Sequence, residues 1–156
     1  MIRLMLVLTL LLAGHSAQAH CWQRAGARYG IEPALLKAIA VVESGLSPTV
    51  VHKNRNGSTD VGLMQINSQH FAQLKQYHIT ARSLITNPCQ NVITGAWVLA
   101  GQIRQFGYNW EAVGAYNAGN ARNKKTHLAR LRYSQKVARI YQGLKRNEKE
   151  FAGWEK

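Results

Sequence analysis

The chain has 156 residues and carries 20 Lys+Arg against 7 Asp+Glu, a formal net charge of +13. That balance excludes an acidic, solvating chain and favours a polyanionic partner, while 46% apolar residues supply material for one domain core. The six histidines and two cysteines show no paired ligand spacing, so neither a metal site nor another cofactor is expected.

The chain opens with Arg3 and an apolar stretch from Leu4 to Ala13, followed by Ala17-Gln18-Ala19 ahead of His20. A short positive region, an apolar run and a small-x-small site make a cleaved export signal over residues 1–19. The run is shorter than the twenty or so residues that a membrane span needs. Cys21 and Cys89 both lie beyond the cleavage site, and an even count in an oxidising compartment suggests a disulfide between them. A periplasmic protein does not meet nucleic acid, so an anionic envelope polymer is the economical partner for the basic surface.

A first helix is expected over Trp22 to Tyr29, ended by Gly30. The next runs from Pro33 to Ser44 and stops at Gly45, with Pro at a favourable first position. From Ser47 to Asn67 the helical period breaks, and Asn56-Gly57 signals a small β-hairpin. Ser68 is read as the N-cap of a helix carrying Phe71 and Leu74, and a short turn of helix follows Thr80. Asn87-Pro88 starts the longest periodic segment, with Val92, Ala96, Leu99 and Ile103 on one face and Gly107 after it. Asn109 caps a helix from Trp110 through Tyr116. A basic loop then leads to a last helix with Tyr133, Val137, Ile140 and Leu144 at helical spacing. Residues 147–156 lack that spacing and are expected to form a frayed basic tail, leaving 20–146 as the working domain. Trp97, Tyr108 and Trp110 are assigned to core packing rather than to ligand contact.

Glu43 is the informative residue. Leu36, Ile39 and Ala40 lie seven, four and three residues before it and share its helical face. A carboxyl on an apolar face is costly to ionise, so its pKa should rise. A carboxylic acid that keeps its proton near neutral pH suits the general acid of glycosidic bond cleavage. The plain alternative, a Glu at the solvent edge of a helix end, loses ground to two further motifs downstream.

Glu43-Ser44, then Gly62-Leu63-Met64-Gln65-Ile66-Asn67, then Ala115-Tyr116-Asn117-Ala118-Gly119, stand in that order. Together with Tyr133 in the last helix they resemble the catalytic domain of the lytic transglycosylases, and most closely its small invasion- and secretion-associated members. Each motif alone is weak, and the ordered set is specific. The resemblance implies a mainly α, lysozyme-like α+β fold with one small β-hairpin. It implies cleavage of the β-1,4 bond between N-acetylmuramic acid and N-acetylglucosamine with a 1,6-anhydro product, by one Glu acting first as acid and then as base. Glu43 takes that role. Ser44, Gly62, Leu63, Met64, Gln65, Asn67, Tyr116, Asn117 and Tyr133 are then expected around the substrate. Met64 and Tyr133 are equally well placed to fill core. The implied partners are peptidoglycan strands and components of a secretion, pilus or conjugation apparatus, for a monomeric enzyme.

Two alternatives stand beside this. A hydrolytic muramidase on the same fold needs a second carboxylate, for which Asp60 and Glu111 are the candidates. Asp60, two residues before Gly62, is the one that keeps this reading open. Goose-type lysozymes carry Asp where this chain has Asn67, which favours the transglycosylase. A non-catalytic peptidoglycan-binding assembly factor has no use for a desolvated acid at Glu43.

Overall fold

The computed structural model describes residues 20–154, with side chains through Glu148. The expected export signal and the end of the expected tail lie outside the described residues. Helix α1 covers residues 20–29 and ends at Gly30, whose φ of +65° needs a residue without a Cβ. Helix α2, Pro33–Ser44, starts on its proline and ends at Gly45 in the left-handed conformation. The Gly45 N–H donates to the Val41 carbonyl at 3.0 Å and that of Leu46 to Ala40 at 3.4 Å, which satisfies the last turn.

Three short strands follow, β1 (Val51–Lys53), β2 (Thr59–Val61) and β3 (Ile66–Asn67), in the order β1-β2-β3 and antiparallel throughout. The expected hairpin is β1–β2, with Asn56-Gly57 in its turn. The register pairs His52 with Asp60, and Asp60 with Asn67. The sequence did not announce β3, because two residues are too few for alternation to register. The cap beyond it is also shifted by one residue. Asn67, not Ser68, accepts from the Gln69 N–H at 2.9 Å, and Ser68–His70 form a 3-10 turn leading into α3, Phe71–Lys75.

Helix α4, Ala81–Thr86, is capped reciprocally by Thr80 and Ser83. Asn87 caps α5, Pro88–Phe106, and Asn109 caps α6, Trp110–Ala118. Asn123 accepts from the Thr126 N–H at 2.8 Å at the start of α7, Lys124–Trp154. The helix therefore runs past Asn147, where the apolar stripe has already stopped, and the expectation of a frayed tail is corrected to helix through Trp154. No described helix is long and apolar enough to cross a membrane.

The core gathers Leu36 and Ile39 of α2, Leu63, Met64 and Ile66, Leu84 of α4, Val92 and Leu99 of α5, and Val137 of α7. One polar residue is buried completely among them. Asn91 of α5 accepts from the Met64 N–H at 2.8 Å and donates to the carbonyls of Val61 and Leu84 at 3.0 Å each. It thus replaces the partners that an irregular strand-linking segment lacks inside a core. Gly62 makes this possible, since a Cβ there would lie 2.1 Å from Asn91 Nδ2. Helices α6 and α7 touch through Gly114, where a Cβ would lie 2.5 Å from the Arg130 carbonyl oxygen. Cys21 and Cys89 form a disulfide that fastens α1 to the first turn of α5.

Candidate active site

Glu43 sits in the last turn of α2. Leu36, Ile39 and Ala40 below it are 0% exposed, so its side chain leaves the helix over a dry face. Burial favours the neutral carboxyl and pushes its pKa from an ordinary 4.5 up to about 7. A hydrogen bond from Tyr133 opposes that rise, and the negative charge of Asp60 adds to it. The Tyr133 hydroxyl donates to Glu43 Oε1 at 2.5 Å from the middle of α7. Tyr133 is buried, and burial together with the Glu43 charge holds its own pKa well above the ordinary value, so it remains a donor.

A cleft of about 690 Å³ opens in front of Glu43, between the sheet on one side and α5 and α6 on the other. Of the sequence-expected residues, Glu43, Gln65, Asn67, Tyr116 and Asn117 line it. The Tyr116 hydroxyl donates to the Met64 carbonyl at 2.7 Å and so braces α6 against the sheet connection. Gln65 holds φ +49°, and its Nε2 donates to the carbonyls of Val50 and Gly62 at 3.0 and 2.9 Å. Only its oxygen is left for the cleft.

Four other expected residues lie outside the cleft lining. Leu63 and Met64 are 0% exposed and pack in the core, as apolar side chains of an otherwise polar segment do. Gly62 is buried against Asn91. The Ser44 hydroxyl faces the carbonyls of Leu63 at 2.8 Å and Ala40 at 3.2 Å, which spends its one hydrogen inside the fold and ties α2 to the Gly62–Asn67 segment. The lining of the cleft includes none of these four, and Tyr133 reaches it only through Glu43. Asn67 is a cleft residue whose amide is already occupied. Its Nδ2 donates to Asp60 Oδ1 at 2.7 Å and to Ser58 Oγ at 3.1 Å, and its oxygen caps the 3-10 turn.

Asp60 lies on β2 facing the same cleft. Asn54 Nδ2 donates to its Oδ2 at 2.8 Å while Asn67 holds its Oδ1, so amides fix both oxygens. Arg55, Gln69, His70, Val98 and Gln102 also line the cleft and were not singled out in the sequence. They come from three separate elements, and no local pattern marks them before the chain is folded. The half-buried His70 ring meets Trp97 edge-on at 5.6 Å, and burial lowers its pKa. Trp97 packs partly buried against the core, as expected. Tyr108 and Trp110 do not, at 56% and 43% exposed. They rim a separate hollow of about 290 Å³ with Leu35 and Tyr141, near the opposite end of α2 from Glu43. Among the described residues no group of three or more His, Cys, Asp or Glu is placed to hold a metal ion.

One acid held protonated near neutral pH, a buried phenol on one of its oxygens and a fixed carboxylate across an open polar cleft can protonate a leaving oxygen and stabilise positive charge nearby. Comparison with known proteins agrees with that chemistry. The transglycosylase SLT domain matches residues 20–138. Invasion protein IagB of Salmonella typhimurium (strain SL1344) is 46% identical over 135 residues, covering 86% of this chain and 83% of the relative. Protein IpgF of Shigella flexneri is 44% identical over 127 residues, covering 81% of this chain and 82% of the relative. The X-ray structure of an inactive mutant of the lytic transglycosylase Slt from Pseudomonas aeruginosa superposes with a TM-score of 0.60. At 22% identity over 82% of this chain and 24% of that one, it shows the shared, mainly α lysozyme-like fold.

Proposed function

The chain belongs to the transglycosylase SLT domain family and is a lytic transglycosylase, and on that premise we propose that it cuts the β-1,4 bond between N-acetylmuramic acid and N-acetylglucosamine in peptidoglycan, with Glu43 as acid and then base. The observation that carries this is the half-buried Glu43, pKa about 7, bonded to Tyr133 at the edge of the cleft. Protonated Glu43 gives its hydrogen to the leaving O4 as the C1–O4 bond breaks. The anion of Asp60 faces the positive charge that develops at C1. The ionised Glu43 then takes the hydrogen of the muramic C6 hydroxyl as O6 bonds to C1, which closes a 1,6-anhydro ring without consuming water. An internal nucleophile needs no second base, and proximity favours it over solvent.

A hydrolytic outcome is the second reading, and the presence of Asp60 in the same cleft favours it. Against it, both Asp60 oxygens already accept amide hydrogens, an arrangement suited to a fixed charge. The leader-like residues 1–19 support export to the periplasm, where the substrate lies. One relative is an invasion protein, and the reading extends to local wall opening for a secretion, pilus or conjugation apparatus.

The test is digestion of purified peptidoglycan by the mature protein and by Glu43→Gln, with the released fragments weighed. Anhydro ends from the first and nothing from the second are expected. Reducing ends, one water heavier, would replace this reading with the hydrolytic one.

A further inference from the structure

The turn between β1 and β2 is braced from inside. The Asn54 N–H donates to the Ser58 carbonyl at 2.8 Å, and the Gly57 N–H to the Asn54 carbonyl at 3.0 Å. Asn56 Oδ1 accepts from the Ser58 N–H and hydroxyl at 3.0 and 2.8 Å, while the Asn54 amide reaches Ser58 Oγ at 3.0 Å and Asp60 at 2.8 Å. The side chains on either side of Arg55 are therefore engaged within the turn. Arg55 itself is exposed, makes no hydrogen bond or ion pair with another described residue, and lines the cleft. It is the one arginine or lysine among the lining residues, whose other acidic or basic members are Glu43, Asp60 and His70.

A guanidinium carried by a braced turn at a cleft, with its five donors unspent, matches a carboxylate brought by the ligand. We propose that Arg55 binds a carboxylate on the branch that N-acetylmuramic acid carries at O3, and so selects acidic, branched strands over neutral N-acetylhexosamine polymers. The inference rests on the peptidoglycan substrate proposed above. The carboxylate has two sources, the acidic stem peptide or the lactyl group left when that peptide is removed. Its attraction for Arg55 also offsets the repulsion between such a branch and the Asp60 carboxylate of the cleft. The rest of the basic surface draws polyanions without choosing among them, whereas Arg55 acts within the cleft that Glu43 lines.

Binding without turnover tests this. Glu43→Gln protein, with and without Arg55→Ala, is titrated at low salt with soluble strands of three kinds: intact, stripped of peptide, and intact with every carboxyl amidated. The expected result is a three- to tenfold weaker Kd for the Arg55→Ala protein on acidic strands and no difference on amidated ones. A difference on intact strands alone assigns the stem peptide, one on stripped strands alone assigns the lactyl group, and one on both shows that Arg55 takes either carboxylate. Equal Kd values on all strands, or the same loss on amidated strands, overturns the proposal. Turnover by the wild-type protein judges the catalytic reading separately, since this titration requires none.

Discussion

The Tyr133 hydroxyl donates at 2.5 Å to Glu43 Oε1, joining residues 90 positions apart in the chain. The bond favours the ionised carboxylate, while burial favours the neutral acid and wins. Removing the bond must therefore raise the pKa of Glu43 further. In Tyr133→Phe the fall of kcat/KM at alkaline pH, centred near 7 in the native protein, should move up by about one pH unit. A profile that drops in height without moving would make Tyr133 a packing residue only.

The same burial sets a stability dependence. Glu43 ionises above about 4.5 in the unfolded chain and only near 7 in the folded one, so stability contributed by the neutral acid is full at pH 4 and lost as pH rises to about 7. Glu43→Gln should match the native protein in thermal unfolding at pH 4. At pH 8 it should be more stable by about 2–3 kcal/mol.

Asp60 raises the pKa of Glu43 by its charge. Asp60→Asn should shift the alkaline fall of kcat/KM to lower pH and reduce kcat by roughly 10- to 1000-fold, while the products keep anhydro ends. Reducing ends in the native digest that disappear in the variant would instead identify Asp60 as the base that activates water.

Range along the chain decided which features were legible in the sequence. Proline at the start, glycine at the end and an apolar face at helical spacing made α2 and the environment of Glu43 readable, because all of that is local. The order of the three motifs placed Gln65, Tyr116 and Asn117 around one cleft. It did not say which side chains of the Gly62–Asn67 segment point outward, and there the apolar Leu63 and Met64 obey the rule for apolar groups and go inside. Arg55, Gln69 and Gln102 reach the cleft by tertiary packing alone. Asn67 was legible as polar but not as spoken for, since its partner Asp60 lies across a strand pair too short to recognise.

Asn91 carries three backbone partners in a fully buried position. Asn91→Ala would leave a donor and two carbonyls without partners and a small void, costing about 3–5 kcal/mol. Urea unfolding should show a lower midpoint, the drop multiplied by the slope m giving a loss of that size. The cleft should also lose activity at temperatures where the fold persists, because Asn91 anchors the segment that presents Gln65 and takes the Tyr116 bond.

The disulfide spans a sequence separation of 68, and a loop of that length stabilises by about 4 kcal/mol in the chain-entropy account. Mild reduction should lower the melting temperature and speed amide exchange first in residues 20–29, which the bond holds to α5.

Gly114 lets α6 rest directly on the backbone of α7 at Arg130, without side chains between them. The wall that carries Tyr116 and Asn117 and the helix that carries Tyr133 consequently travel as one plate, locked to Glu43 through the phenol. The facing wall hangs on strands of two and three residues. The cleft thus has one wall set by helix-on-helix contact and one set by the hydrogen bonds among Asn54, Asn56, Ser58 and Asp60.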